Sequence, residues 1–279
     1  LLNKRVTSAC RRHERVENMS QFKTFYIIAF ALIMMLSSPV SHSTELVSVN
    51  VQGNTVEAVI NLPANISADI TLEFENAVGL TADNIGITAE IIDITSLNLL
   101  QRLPNSSNIS LQALFPMMIT IEPDTSGGFS FSGVASVDIH THNLEYTAGT
   151  PLRFFKAPLG GEFKDITTTM GAGSYRARGS TGRFSQFIIV ADLRPATVVI
   201  NTKFNDLQTA LNAFSSQIDS VVYSTLLQDV ADINQAIMTL DYSSASSKVS
   251  QFINNVKANR GQAIPDVWRS SRDVDNVMG

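Results

Sequence analysis

The stretch "VDIHTHNLEY", residues 137–146, places His140 and His142 two apart at the end of a run that alternates apolar and polar residues. Side chains of a strand alternate with period two, so Asp138, His140 and His142 project from one face. Ser130, Ser132 and Ser136 share that face, which makes it the polar one. Two imidazoles at i and i+2 can chelate one divalent metal ion, with Asp138 or Glu145 as the carboxylate ligand. The same residues also describe an ordinary solvated strand face, and the expectation without such an ion is that the chain carries no cofactor.

A second candidate follows in "YTAGTPLRFFKAPLGGEFKDI", residues 146–166, where aromatic and cationic side chains interleave on turn-rich sequence. Tyr146, Arg153, Phe155 and Lys156, joined by Arg176 and Arg178 of the next strand, could form a sugar-stacking or acidic-polymer site, since rings pack on the apolar face of a pyranose. The competing reading is core aromatics beside exposed basic residues at strand ends. There is no G-x-S-x-G elbow, P-loop, Rossmann glycine set or H-E-x-x-H. No catalysis is expected. The alternative is a metal-dependent enzyme using His140 and His142.

Strands must position both sets. "ELVSVNVQGNTVEAVINLP" reads as a hairpin turning at "QGNT". "ADITLEFEN" alternates, with Ile70, Leu72 and Phe74 on one side and Asp69, Thr71, Glu73 and Glu75 on the other. "FSFSGVASVDI" does the same with Phe129, Phe131, Val137 and Ile139 in phase. "SYRARGSTGRFSQFIIVADL" reads as a second hairpin turning at Gly179–Gly182, and "ATVVINT" as a closing strand. Residues 81–103 fit either a strand at "GITAEIIDI" or a helix ended by Pro104. Short strands divided by Gly, Pro and Asn turns predict an antiparallel β-sandwich or open barrel over 44–202.

From Phe204 the period changes. Phe204, Leu207, Leu211, Phe214, Ile218 and Val221 recur at three and four, the stripe of an amphipathic helix. "LLQDVADINQAIMTL" and "DYSSASSKVSQFINNVKANRG" continue the pattern, and a short helix is expected after Pro265. Glycine and proline are absent from 204–260. The fold class read from these patterns is α+β, an N-terminal β-sandwich followed by a C-terminal helical bundle over 203–279. Within it, "SSKVSQFINNVKANRGQAIP" resembles the core of FIMAH-type helical modules at the ends of bacterial extracellular proteins, which carry an "FINxV…G" segment. The resemblance covers roughly the last 75 residues and departs from the family at "DVWRSSRDVDNVMG". It implies an appended interaction or spacer role and brings no catalytic residues.

The N-terminal text supplies an address. Residues 1–18 are basic and unpatterned, an expected upstream extension. Residues 19–43 have the form of a signal peptide: Lys23, the apolar core "TFYIIAFALIMML", then Pro39 and small residues at Ser41 and Ser43. Cleavage after Ser43 would remove Cys10, the only cysteine, and leave no membrane span. Residues 1–43 hold six of the 20 Lys/Arg and two of the 25 Asp/Glu, so the remainder carries 14 basic and 23 acidic side chains, a net charge of −9. That charge repels nucleic acid, which is not an expected partner. The expectation is a periplasmic or secreted bacterial module that recognises an extracellular glycan, a matrix polymer or an envelope protein.

Overall fold

The computed structural model describes residues 46–104 and 107–279. The signal-peptide pattern, the upstream extension and Cys10 lie outside the described residues. The chain begins with β1 (Leu46–Gln52), β2 (Thr55–Leu62), β3 (Ile66–Val78) and β4 (Ile87–Ile91). A single helical turn, α1 (Leu97–Leu100), precedes β5 (Ile109–Leu111), β6 (Met117–Ile121) and the long β7 (Ser130–Glu145). Then come β8 (Leu152–Ala157), β9 (Lys164–Asp165), β10 (Thr167–Gly171), β11 (Ser174–Thr181) and β12 (Gln186–Asp192). Three helices, α2 (Ala196–Ala213), α3 (Ser220–Met238) and α4 (Tyr242–Ala258), lead to β13 (Val267–Arg269). The class is α+β, with two antiparallel sheets in a sandwich-like arrangement and helices mostly at the C-terminal end.

Sheet A has the order β1-β2-β3-β7-β11-β10, with β13 also on β7, and sheet B the order β4-β6-β12-β8-β9, with β5 on β12. Their facing side chains make the main core, including Ile70, Leu72, Phe74, Val137 and Ile139 from sheet A and Ile119, Phe154, Phe187 and Ile189 from sheet B. Sheet A alternates along β7, buried then wet, because only one face meets the core. The central strands of sheet B are buried on both faces. The second face, with Phe155, Ala157, Ile188 and Val190, packs under Leu99, Leu103 and Phe163. This explains why "FIIV" in β12 is a continuous apolar run rather than an alternation.

Several sequence expectations change here. The "QGNT" hairpin is present as β1 and β2. The second expected hairpin is not. β11 pairs with β7 and β10 in sheet A, whereas β12 pairs with β5, β6 and β8 in sheet B, so Gly182–Phe184 carries the chain between sheets. The turn glycines made that crossing look like a tight return; the true hairpin is β10–β11, through Gly173 at φ 106°. Residues 81–103 hold both a strand, β4, and the turn α1. "ATVVINT" opens α2 instead of forming a strand, since Pro195 sits well ahead of a first helical turn and the apolar pattern continues to Leu211.

The expected continuous stripe from Phe204 to Val221 breaks between α2 and α3. Asp219 caps α3, accepting from the Val221 and Val222 N–H groups at 2.9 and 3.2 Å, and Val221 is left 73% exposed. Asp241 caps α4 in the same way, accepting from the Ser244 N–H. Between α3 and α4 the buried Asp229 accepts from Gln251 and Asn255 at 3.0 and 2.6 Å. Residues 203–279 are not wholly helical. The helix expected after Pro265 is β13, which pairs with β7 at Ser130–Ser132 and so adds to sheet A. The described residues from 46 onward form one compact unit.

An aromatic cluster fastens that return. Trp268 is 7% exposed, with its ring 5.8, 5.5 and 5.0 Å from Phe129, Phe131 and Phe184. Gly133, at φ +78°, gives its N–H to Asp266 and accepts from Asn276, and a Cβ there would strike the Glu75 carboxylate. Burial of a large ring in such a cluster predicts that Trp268→Ala lowers unfolding free energy by about 3–5 kcal/mol, whereas Val221→Ala changes it by less than about 0.5 kcal/mol. Urea denaturation of the two variants checks this.

Candidate functional site

The wet face of sheet A is a grid of side chains set by register. One row runs Ser48–Val59–Asp69–His140–Arg176–Gly171 across six strands, and the next runs Asn50–Glu57–Thr71–Asp138–Arg178–Thr169. Asp69 therefore stands directly opposite His140. Its Oδ2 lies 3.6 Å from His140 Nδ1 and 2.9 Å from His142 Nε2. The two imidazoles are stacked, centroids 5.2 Å apart and planes 27° from parallel. The Asp69, His140 and His142 side chains are 40%, 27% and 44% exposed, so the group faces solvent.

These three residues could hold a metal ion, since their ligand atoms all lie within 4.8 Å of one another. Tetrahedral ligands about 2.0–2.1 Å from zinc stand roughly 3.3 Å apart. The 3.6 Å pair already fits, and the 2.9 Å pair needs a few tenths of an ångström of opening. Three protein ligands would leave the remaining coordination position to water or to an incoming oxygen.

The carboxylate that stands at the histidines is Asp69, not Asp138 or Glu145. Asp138 is engaged by Arg178, whose Nε donates to it at 3.1 Å while its Nη2 lies 3.5 Å from Glu73. The alternation slips after His142, where Leu144 turns into the core; the exposed Glu145 then stands opposite Ser174 of β11, and it is not among the donors that converge with the histidines. Asp69 was visible as a polar-phase residue of "ADITLEFEN", but only the β3–β7 register brings it to the histidines.

The second candidate set does not converge. Phe155 is fully buried on the second face of sheet B and offers no stacking platform. Tyr146 packs half-buried against the main core. One Nη of Arg153 donates to the Thr150 and Leu152 carbonyls. Arg176 and Arg178 stand on the wet face of sheet A beside His140 and Asp138, as their shared strand face predicted. Lys156 shares the inward phase of Leu152 and Phe154 on β8. The spread follows from the chain crossing between sheets where sequence suggested one hairpin.

A family model matches residues 31–279, and its description is a family of unknown function, DUF6689. No curated protein and no solved structure matches the chain.

Lys156 carries a measurable consequence. Its half-buried ammonium donates to the Thr181 hydroxyl, and burial, helped by the neighbouring Arg183 guanidinium, pulls its pKa down to about 7 from an ordinary 10.5. The unfolded chain then holds a proton that the folded chain has released between about pH 7 and 10.5, so this group makes stability rise with pH through that window. Below pH 7 both states are protonated and the contribution is at its least favourable. The expected outcome is that Lys156→Met is the more stable protein at pH 7, with an advantage that shrinks toward pH 10. Paired urea titrations across this range read the difference.

Proposed function

We propose, from the premise that this chain belongs to the DUF6689 family, that it is an exported binding module working through the wet face of sheet A. On this reading Asp69, His140 and His142 hold a divalent cation that grips an oxygen-rich ligand on an extracellular glycan, a matrix polymer or an envelope protein. The convergence of those three donors on an open sheet face carries the reading. A cation there also offsets the local acidity of Glu57, Asp69, Glu73 and Asp138, and the exposed Arg176 lies beside His140 to receive an anionic group. Export rests on the pattern of residues 19–43. Among the described residues no helix is long and apolar enough to cross a membrane. The C-terminal helices, read as a small bundle of the FIMAH kind, serve as an interaction element packed on the sandwich.

The same open coordination position supports a second reading, a metal-dependent enzyme using His140 and His142. A reaction centre gains from excluding water, and ligands 27–44% exposed on a sheet face provide little exclusion, so binding is preferred.

Zinc titration by calorimetry tests the premise shared by both readings. One equivalent per chain is expected. Affinity should fall at least about tenfold in Asp69→Ala and in His142→Ala, the loss expected when a metal site is damaged, and stay unchanged in Asp138→Asn. Retention on an immobilised acidic polysaccharide that EDTA abolishes would support binding, and metal-dependent hydrolysis of that polymer would favour the enzyme. Absence of zinc binding would leave the face a plain ladder of cross-strand pairs.

A further inference from the structure

A cavity of about 890 Å³ opens where sheets and C-terminal helices meet, and Asp69, His140 and His142 take no part in its lining. Its volume falls within the range of about 300–1,000 Å³ typical of small-molecule sites. One wall is apolar, made by Leu211, Phe214, Ile218, Phe252, Val256 and Trp268. The lining also includes Lys156 of β8 and Arg183, which follows β11. The Thr181 hydroxyl links them, accepting from the Lys156 ammonium and from the Arg183 N–H while donating to the Arg183 carbonyl.

Among the described residues no carboxylate pairs with either cation. Glu122 lines the cavity but is held by Arg272 at 2.7 Å, and neither Asp275 nor the terminal residue Gly279, which packs against Gly182 in the same lining, bridges to Lys156 or Arg183. Lys257 adds a further cation to the lining. Two like charges brought together at the edge of an apolar space destabilise each other, and an anion seated between them removes that cost. The apolar wall sets what must follow the anion.

We propose that this cavity binds an amphipathic carboxylate of the fatty-acid class, its head between Lys156 and Arg183 and its chain along the wall of Phe214, Phe252 and Trp268. Neutral lipids would fill the wall and leave the cations unpaired; small inorganic anions would pair the cations and leave the wall wet. The site stands apart from the cation reading of sheet A, and neither depends on the other.

Trp268 is the only tryptophan in the chain and lines the cavity, so its fluorescence reports occupancy directly. The full-length protein is titrated with dodecanoate below its micellar concentration, and with dodecyltrimethylammonium as the charge-reversed probe. The expected result is a saturable change with dodecanoate, at least tenfold weaker with the cationic probe, and at least tenfold weaker in both Lys156→Met and Arg183→Gln. Thermal melting of the variants confirms their folding, and the exposed Arg183 supplies the variant less tied to packing. No saturable change, equal response to both probes, or folded variants that keep full affinity would each overturn the proposal.

Discussion

The strict alternation of β7 is the constraint on which the rest of the molecule hangs. From Ser130 to His142 every second side chain enters the core and every other one meets the wet face, so a one-residue slip would exchange Phe131, Val137 and Ile139 for Ser132, Asp138 and His140. Burying charged and imidazole groups while exposing the rings is so unfavourable that the register admits no alternative. β3 lies on one side of this strand, and β11 and then β13 lie along the other. The candidate metal ligands are a by-product of this pairing, because the register that seats Ile70 against Ile139 also sets Asp69 against His140.

The two ends of β7 do different work. His142 stands near one end, and Gly133 receives the C-terminal segment near the other, about 30 Å away at roughly 3.3 Å per residue. At the Gly133 end the chain supplies, late in sequence, what β11 leaves uncovered. β11 pairs with β7 only from Ala135 onward, and Val267–Arg269 takes the same edge at Ser130–Ser132. Trp268 then closes the aromatic cluster, and ion pairs such as Arg260 with Glu75 and Arg272 with Glu122 tie the segment to both sheets. Such exposed pairs add little stability by themselves, so the rings and the strand pairing hold the segment in place.

Docking the helices against the sandwich leaves the mixed cavity between them. Lys203 and Lys164 pair with Asp165 and Asp206, which lays α2 along β9, while Asp229 joins α3 to α4 through two side-chain amides. None of these contacts fills the space in front of Lys156. A lysine on the inward phase of a core strand is an expensive choice, and its neighbour across the sheets, Thr181, satisfies only one of its three donors.

Features with a local cause were legible along the chain. Period two in "ADITLEFEN" and "FSFSGVASVDI", period 3.6 after Phe204, the "QGNT" turn and the polar phase of His140 and His142 all follow from which residues are neighbours along the chain. The sequence could not place "ATVVINT", whose β-branched residues suit a strand yet lie in a helix, because packing outweighs propensity there. Nor could it see that Gly182–Phe184 crosses between sheets, that "DVWRS" returns as a strand, or that Asp69 rather than Asp138 or Glu145 faces the histidines. Those depend on pairings between residues as far apart as Phe131 and Trp268, or Asp69 and His140. Strand alternation says which side of a sheet a residue takes; only register says what stands beside it.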